Sequence, residues 1–260
     1  LDPLDVAIAT AREAGALLLA RVGLPLETSQ KSARGDLVTA SDRASEALIV
    51  ARLRAAFPNS SILGEEGGAT AGTSDERWIV DPLDGTTNYA HGYPLYCVSI
   101  AYERAGEVCA AVIYAPALDE LYAAERGGGA RCEGKPIFVT DVARVADSLV
   151  CTGFVPARYE RNGENFARLS RLAQAVRRDG SAALDLAFVA AGRFEAFWEF
   201  DLKAWDVAAG ALIVREAGGT VSAIAGGPLE LDAGSILATN GRVHAEMVAA
   251  LGAADHPLPS

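Results

Sequence analysis

The segment Asp81-Pro82-Leu83-Asp84-Gly85-Thr86-Thr87-Asn88 constrains this chain more than any other. The apolar run Trp78-Ile79-Val80 leads into it and reads as a short buried strand. That strand delivers two aspartates, and Pro82 stiffens the turn between them by locking its own φ. Gly85-Thr86-Thr87-Asn88 then supplies a flexible corner and hydroxyl or amide side chains suited to opening a helix. Acids at a strand end, followed by free backbone N–H groups, can hold a divalent cation and a phosphate side by side. The same residues can equally form a strand-to-helix turn whose aspartates merely cap it, and spacing does not choose between these.

A chain of 260 residues, half of them hydrophobic, can build one large domain or two closely packed halves. Lys and Arg number 23 against 34 Asp and Glu, a formal charge of −11 that argues against a nucleic-acid footprint. It leaves a small anionic substrate open, because such a ligand responds to local charge. Cys97, Cys109, Cys132 and Cys151 form no Cys-x-x-Cys pair, and only His91, His244 and His256 could help them, so no zinc site is expected. Reduced, buried thiols in a cytoplasmic protein are the expectation. Leu1-Asp2-Pro3 lacks the positive start of a signal peptide, and no apolar run approaches the ~20 residues of a membrane span.

Residues 3–22 read as an amphipathic helix stopped by Gly23-Leu24-Pro25, and residues 31–36 as a polar loop. A second helix is expected from about Thr39 to Phe57, with Asp42 in its first turn, where the helix dipole alone would favour an acid. Ser61-Ile62-Leu63-Gly64 reads as a strand ending in Glu65-Glu66, and residues 69–76 as a surface loop. From Tyr96 to Ala124 three strand-like runs separated by turns predict an antiparallel meander, and Gly127-Gly128-Gly129 a hairpin connection. The pattern alternates afterwards: strands at 149–151, 194–200 and 236–238, helices at 158–176, 182–191, 205–217 and 243–251. One domain over 1–260, with approximate halves 1–140 and 141–260, is expected, in an α/β (α+β) layered architecture.

Asp206 opens an otherwise apolar helix, between Trp205 and Val207-Ala208-Ala209. It can be a simple cap, but a carboxylate among apolar side chains is costly unless a positive charge meets it. Glu65, Asp81, Asp84 and Asp206 thus form a set of acids at element ends, and oxygen donors of this kind suit Mg²⁺ or Mn²⁺. Periodicity does not show that the four meet in space.

Gly64-Glu65-Glu66, the DPLDGTTN run at 81–88 and the WDVAAGALIVREAGG run at 205–219 resemble the signature motifs of the inositol monophosphatase family, magnesium-dependent and lithium-sensitive phosphatases. The resemblance runs from Lys31 and Asp36-Leu37-Val38 to the last helix, and residues 177–192 resemble the bacterial branch. Tyr89 stands where the family usually has Phe. The resemblance implies an α-β-α-β-α sandwich of the inositol monophosphatase and sugar phosphatase type, normally a homodimer. It implies a first Mg²⁺ on Glu65, Asp81 and the Leu83 carbonyl, a second on Asp81, Asp84 and Asp206, and a weaker third reached from Glu65 through water, with Mn²⁺ as a substitute. Thr86, paired with Asp42, would orient and deprotonate water together with Glu65. Backbone N–H groups of Gly85 and Thr86 would receive the phosphate, and Leu83 and Asp84 would lie against it. Ala182, Glu199 and Asp206 match ring-contacting positions, Arg177 a substrate-side position and Lys31 a loop position near the metals.

These roles imply a phosphomonoesterase hydrolysing myo-inositol 1-phosphate directly, without a phospho-enzyme. Histidinol phosphate, fructose bisphosphate and nucleotide 3′-phosphates are alternative substrates within the same metal chemistry. A regulatory protein is the alternative of another class, since a bacterial member is associated with the transcription antitermination machinery. No membrane role is expected.

Overall fold

The computed structural model describes residues 1–23, 28–30, 37–154 and 159–252. Its first helix, α1 (Pro3–Leu19), begins where the Asp2 carboxylate accepts the Leu4 N–H at 2.8 Å and Pro3 occupies the first turn. A short ribbon, β1 (Thr28–Gln30) with β2 (Leu37–Thr39), leads into α2 (Ala40–Ala56). Thr39 therefore ends a strand rather than opening the helix.

The larger sheet has eight strands: β3 (Ser61–Gly64), β4 (Gly68–Thr70), β5 (Glu76–Asp84), β6 (Cys97–Arg104), β7 (Glu107–Ala115), β8 (Glu120–Glu125), β9 (Ala130–Cys132) and β10 (Lys135–Pro136). Their spatial order is β10-β9-β8-β7-β6-β5-β3-β4. The meander expected over 96–124 is β6 to β8, and the antiparallel order extends beyond it from β5 to β10, while β3 runs parallel to β5. Gly127-Gly128-Gly129 is the β8–β9 hairpin. The stretch expected as a loop from residue 69 instead begins inside β4, whose three exposed small residues leave no alternation to read.

Strand period decides which helices cover which face of this sheet. Trp78, Val80, Ile100, Tyr102 and Val112 point to one side and pack with α1 and α2. Ile79, Ala101, Ala111 and Ile113 point to the other and pack with α5 (Ala182–Ala190) and α6 (Ala204–Glu216). Those two helices are apolar nearly all round, as helices buried between two sheets must be.

The second sheet lies across them. It comprises β11 (Leu149–Thr152), β12 (Ala175–Arg177), β13 (Ala196–Phe200), β14 (Thr220–Ser222) and β15 (Ser235–Thr239), in the order β12-β11-β13-β15-β14. Its outer face is covered by α4 (Tyr159–Leu172) and α7 (His244–Gly252) around Trp198, Leu237 and Met247. The layers are α-β-α-β-α. The helix expected over 158–176 stops at Leu172, and Ala175–Arg177 joins the sheet instead.

His244 is half-buried, with Nε2 3.1 Å from Ser222 Oγ and Nδ1 3.0 Å from Thr239 Oγ1. Cys97 and Cys151 are buried as expected, whereas Cys109 and Cys132 are only partly so. No described helix is long and apolar enough to cross a membrane.

Candidate active site

A bulge places the two aspartates of the opening segment. Asp81 pairs with Ser99 and Asp84 with Cys97, so three steps along β5 match two along β6. In a regular strand residues three apart point to opposite faces. Here Leu83 joins Val80 on the α1–α2 side, which returns Asp84 to the side that Asp81 faces. Asp81 Oδ1 closes the turn by accepting the Leu83 N–H at 3.0 Å.

Asp84 reaches the N-terminus of α5. Its Oδ2 accepts the Ser181 hydroxyl at 2.8 Å and the Ala183 N–H at 2.7 Å. Ala182, one of the expected ring-contacting positions, is in the same first turn. These bonds hold the Asp84 pKa down, but burial outweighs them and leaves it raised.

Asp206 approaches from α6. It caps that helix, accepting the Lys203 N–H at 2.6 Å, so the capping reading is correct for one of its oxygens. It also belongs to the acidic cluster. Burial first, then Asp84 and Glu65, push its pKa well up. Asp81 is 2% exposed and is likewise raised, by burial and then by Glu65, Asp84 and Asp206. The four acids read from the sequence are therefore mutually repelling neighbours. Glu199 on β13 joins them: it is buried and raised by burial, then by Asp206 and Asp84. It lies so close to Gly153 that a Cβ there would sit 2.1 Å from its Oε2.

One helix aligns much of this. Along α2, Asp42 Oδ1 accepts the Thr86 hydroxyl at 3.0 Å, Ser45 Oγ donates to the Pro82 carbonyl at 2.8 Å, and Glu46 accepts the N–H groups of Glu66 (2.8 Å) and Gly67 (2.6 Å). Asp42, Ser45 and Glu46 are three and four residues apart, hence on one face. Thr86 also lies 3.1 Å from the Leu83 carbonyl. It opens α3 (Thr86–Ala90), entered through Gly85 at φ +90°, where a Cβ would meet the Leu95 carbonyl at 2.9 Å, so only glycine fits. That helix has five residues.

Arg177 is not part of the cluster. It is exposed on the edge strand β12, and the acid beside it is Asp179. The arginine whose charge opposes the rise at Glu199 is Arg178. Lys31 and His256 lie outside the described residues. The sequence reading missed Ser45, Glu46, Ser181 and Arg178; Glu46 had a signal, standing one turn after Asp42. Tyr89, the departure from the family's Phe, has its hydroxyl satisfied by the Leu18 carbonyl at 2.9 Å and lies 3.2 Å from Ser41 Oγ.

The donor set fits a hard cation. Every side-chain donor in the cluster is a carboxylate oxygen, and the repulsion among them is what a divalent ion would relieve. Divalent ions on such a carboxylate centre can serve phosphoryl hydrolysis among other metal-assisted hydrolyses.

The chain is a member of the inositol monophosphatase family, which it matches over residues 1–255, and is a phosphoric monoester hydrolase. It is 46% identical to an inositol-1-monophosphatase of Mesorhizobium japonicum over 243 residues, 91% of each chain. It is 43% identical to the Nus factor SuhB of Pseudomonas aeruginosa, again over 91% of each. Among solved structures it resembles the extragenic suppressor protein suhB of Bartonella henselae, with TM-score 0.92 and 39% identity, covering 95% of this chain and 97% of the other.

Proposed function

We propose that the protein hydrolyses myo-inositol 1-phosphate to inositol and phosphate with the help of Mg²⁺. One observation carries this reading: Asp81, almost fully buried, has Glu65, Asp84 and Asp206 as its charged neighbours. Glu65, Asp81 and the Leu83 carbonyl would hold one ion and Asp81, Asp84 and Asp206 a second, with a weaker third reached from Glu65; Mn²⁺ could substitute. Bound there, magnesium supplies charge that acidifies a water and neutralises phosphate oxygens.

The chain's own groups do the rest. Thr86, donating its hydrogen to Asp42, turns an oxygen lone pair outward to accept from the attacking water, and Glu65 takes up the proton. The N–H groups of Gly85 and Thr86 receive the phosphate at the start of α3. Glu199, Asp206 and Ala182 line the side on which the polyol binds, where acids accept hydrogen bonds from its hydroxyls.

A substrate panel tests the reading. Inositol 1-phosphate should be turned over faster than histidinol phosphate, fructose bisphosphate or nucleotide 3′-phosphates, and millimolar Li⁺ should inhibit. Preference for histidinol phosphate would overturn the substrate. The enzyme is read as a homodimer, as the family normally is, and as cytoplasmic, where its four unpaired cysteines stay reduced.

A second reading rests on the relatives named Nus factor SuhB. The protein would then also bind a partner in the transcription machinery through a surface separate from catalysis. Asp84→Asn separates the two: a cellular phenotype that survives loss of hydrolysis belongs to the binding role.

A further inference from the structure

We propose that Cys151, Asp179 and Asp185 form a second cation site, for a borderline divalent ion such as Zn²⁺, behind the four-carboxylate centre. Their ligand atoms, one from each side chain, all lie within 4.8 Å of one another. Three separate segments deliver them: β11 carries Cys151, the turn after β12 carries Asp179, and the first turns of α5 carry Asp185.

Asp185 is the telling member. It is 1% exposed, and among the described residues neither carboxylate oxygen accepts an N–H or O–H bond. The Cys151 thiol is the donor beside it. Buried carboxylates almost always accept N–H or O–H bonds, so one left with only a weak thiol donor calls for an occupant. The Asn88 amide, donating to the Asp179 carbonyl at 2.8 Å, holds the third segment in place. Asp179 is only half-buried, so the cluster is approached from solvent on its side.

The donor types select the ion. One sulfur and two carboxylates suit Zn²⁺, Co²⁺ or Cd²⁺, whereas Mg²⁺ and Ca²⁺ take oxygen alone. Burial and the two aspartates hold the thiol strongly protonated in the metal-free protein. An incoming divalent ion reverses that local field, and the thiol proton leaves to solvent as the sulfur–metal bond forms. Sequence spacing concealed the site, because Cys-x-x-Cys patterns do not register a lone cysteine that meets two aspartates through the fold. An ion here would tie β11 to α5, the helix whose first turn binds Asp84.

The test is a Co²⁺ titration of the demetallated full chain, with Mg²⁺ present in excess to occupy the oxygen sites. A thiolate-to-cobalt charge-transfer band should appear and saturate at one equivalent. It should be absent in Cys151→Ser, need about tenfold more Co²⁺ in Asp185→Asn, and persist in Cys97→Ser, since Cys97 is the thiol beside Asp84. A chain that keeps Cys151 as its one cysteine should retain the band, a gain that misfolding cannot imitate. Wild-type protein loaded with ¹¹³Cd²⁺ should show a resonance downfield of oxygen-only sites. No thiolate band, a band surviving Cys151→Ser, or a cadmium resonance in the oxygen-only range would each overturn the proposal, leaving Asp185 a buried, protonated acid.

Discussion

The Thr86 hydroxyl lies 3.0 Å from Asp42 Oδ1, joining the first turns of α3 and α2 across 44 residues of sequence. Asp42 is fully buried, so its contact with Thr86 is shielded from solvent. If this pair orients the attacking water, Thr86→Val should lower kcat by about 10²–10⁴-fold with little change in KM. Asp42→Asn, which keeps an acceptor oxygen, should lose less than Asp42→Ala. Steady-state kinetics on the three variants checks both; wild-type kcat in Thr86→Val would exclude the role.

Glu46 is expected to matter without touching substrate. Its carboxylate satisfies two consecutive N–H groups in the turn that presents Glu65. Glu46→Ala leaves both without that acceptor, at a cost of about 1–3 kcal/mol each where water cannot replace it. The thermal midpoint should fall and kcat should fall with it, while Glu46→Gln, which retains one acceptor, should recover part of both. Unchanged kcat in Glu46→Ala would show that the Glu65 turn is held by other contacts.

Those two relationships differ in how visible they were beforehand. DPLDGTTN and the Asp206 helix start were legible because strand, proline, glycine and hydroxyl signals are local. The grouping of Glu65, Asp81, Asp84 and Asp206 came from the family resemblance, since period alone puts Asp81 and Asp84 on opposite strand faces and only the bulge reunites them. Asp42 could be read as a cap or as a partner of Thr86, and the fold brings the two together. Ser181 and Arg178 were not legible, because the bond of one to Asp84 and the charge effect of the other on Glu199 depend on how the segment between β12 and α5 is placed in the fold. The short strands β1, β2, β4 and β14 carry too few residues to show alternation.

The raised acids set a pH dependence with a definite sign. Asp81 and Asp206 have folded pKa values above the unfolded value of about 3.9. Above that pH the metal-free folded state binds more protons than the unfolded chain, so its stability falls as pH rises through the folded values. Mg²⁺ bound there would supply the missing charge and should release protons on binding. The Mg²⁺-induced rise in thermal midpoint, measured against chelator, should be larger at pH 8 than at pH 5. An equal or larger rise at pH 5 would contradict this.

His244 works in the opposite direction. Burial lowers its pKa from the usual value of about 6.5. Below that pH the unfolded chain binds more protons, so the stabilisation is complete above about pH 6.5 and is lost as pH falls towards the folded value. Denaturant midpoints at pH 7.5 and 5.5 should drop more for wild type than for His244→Asn, and equal drops would show that the ring does not titrate on unfolding.

The central claim is that Glu65, Asp81, Asp84 and Asp206 act together as a metal-dependent phosphate-hydrolysing centre. Phosphate release from inositol 1-phosphate, followed against Mg²⁺ concentration in wild type and Asp84→Asn, tests it most directly. The account predicts saturable dependence on Mg²⁺, no release in chelator, and none in folded Asp84→Asn. Release that persists in chelator, or at the wild-type rate in Asp84→Asn, would contradict it.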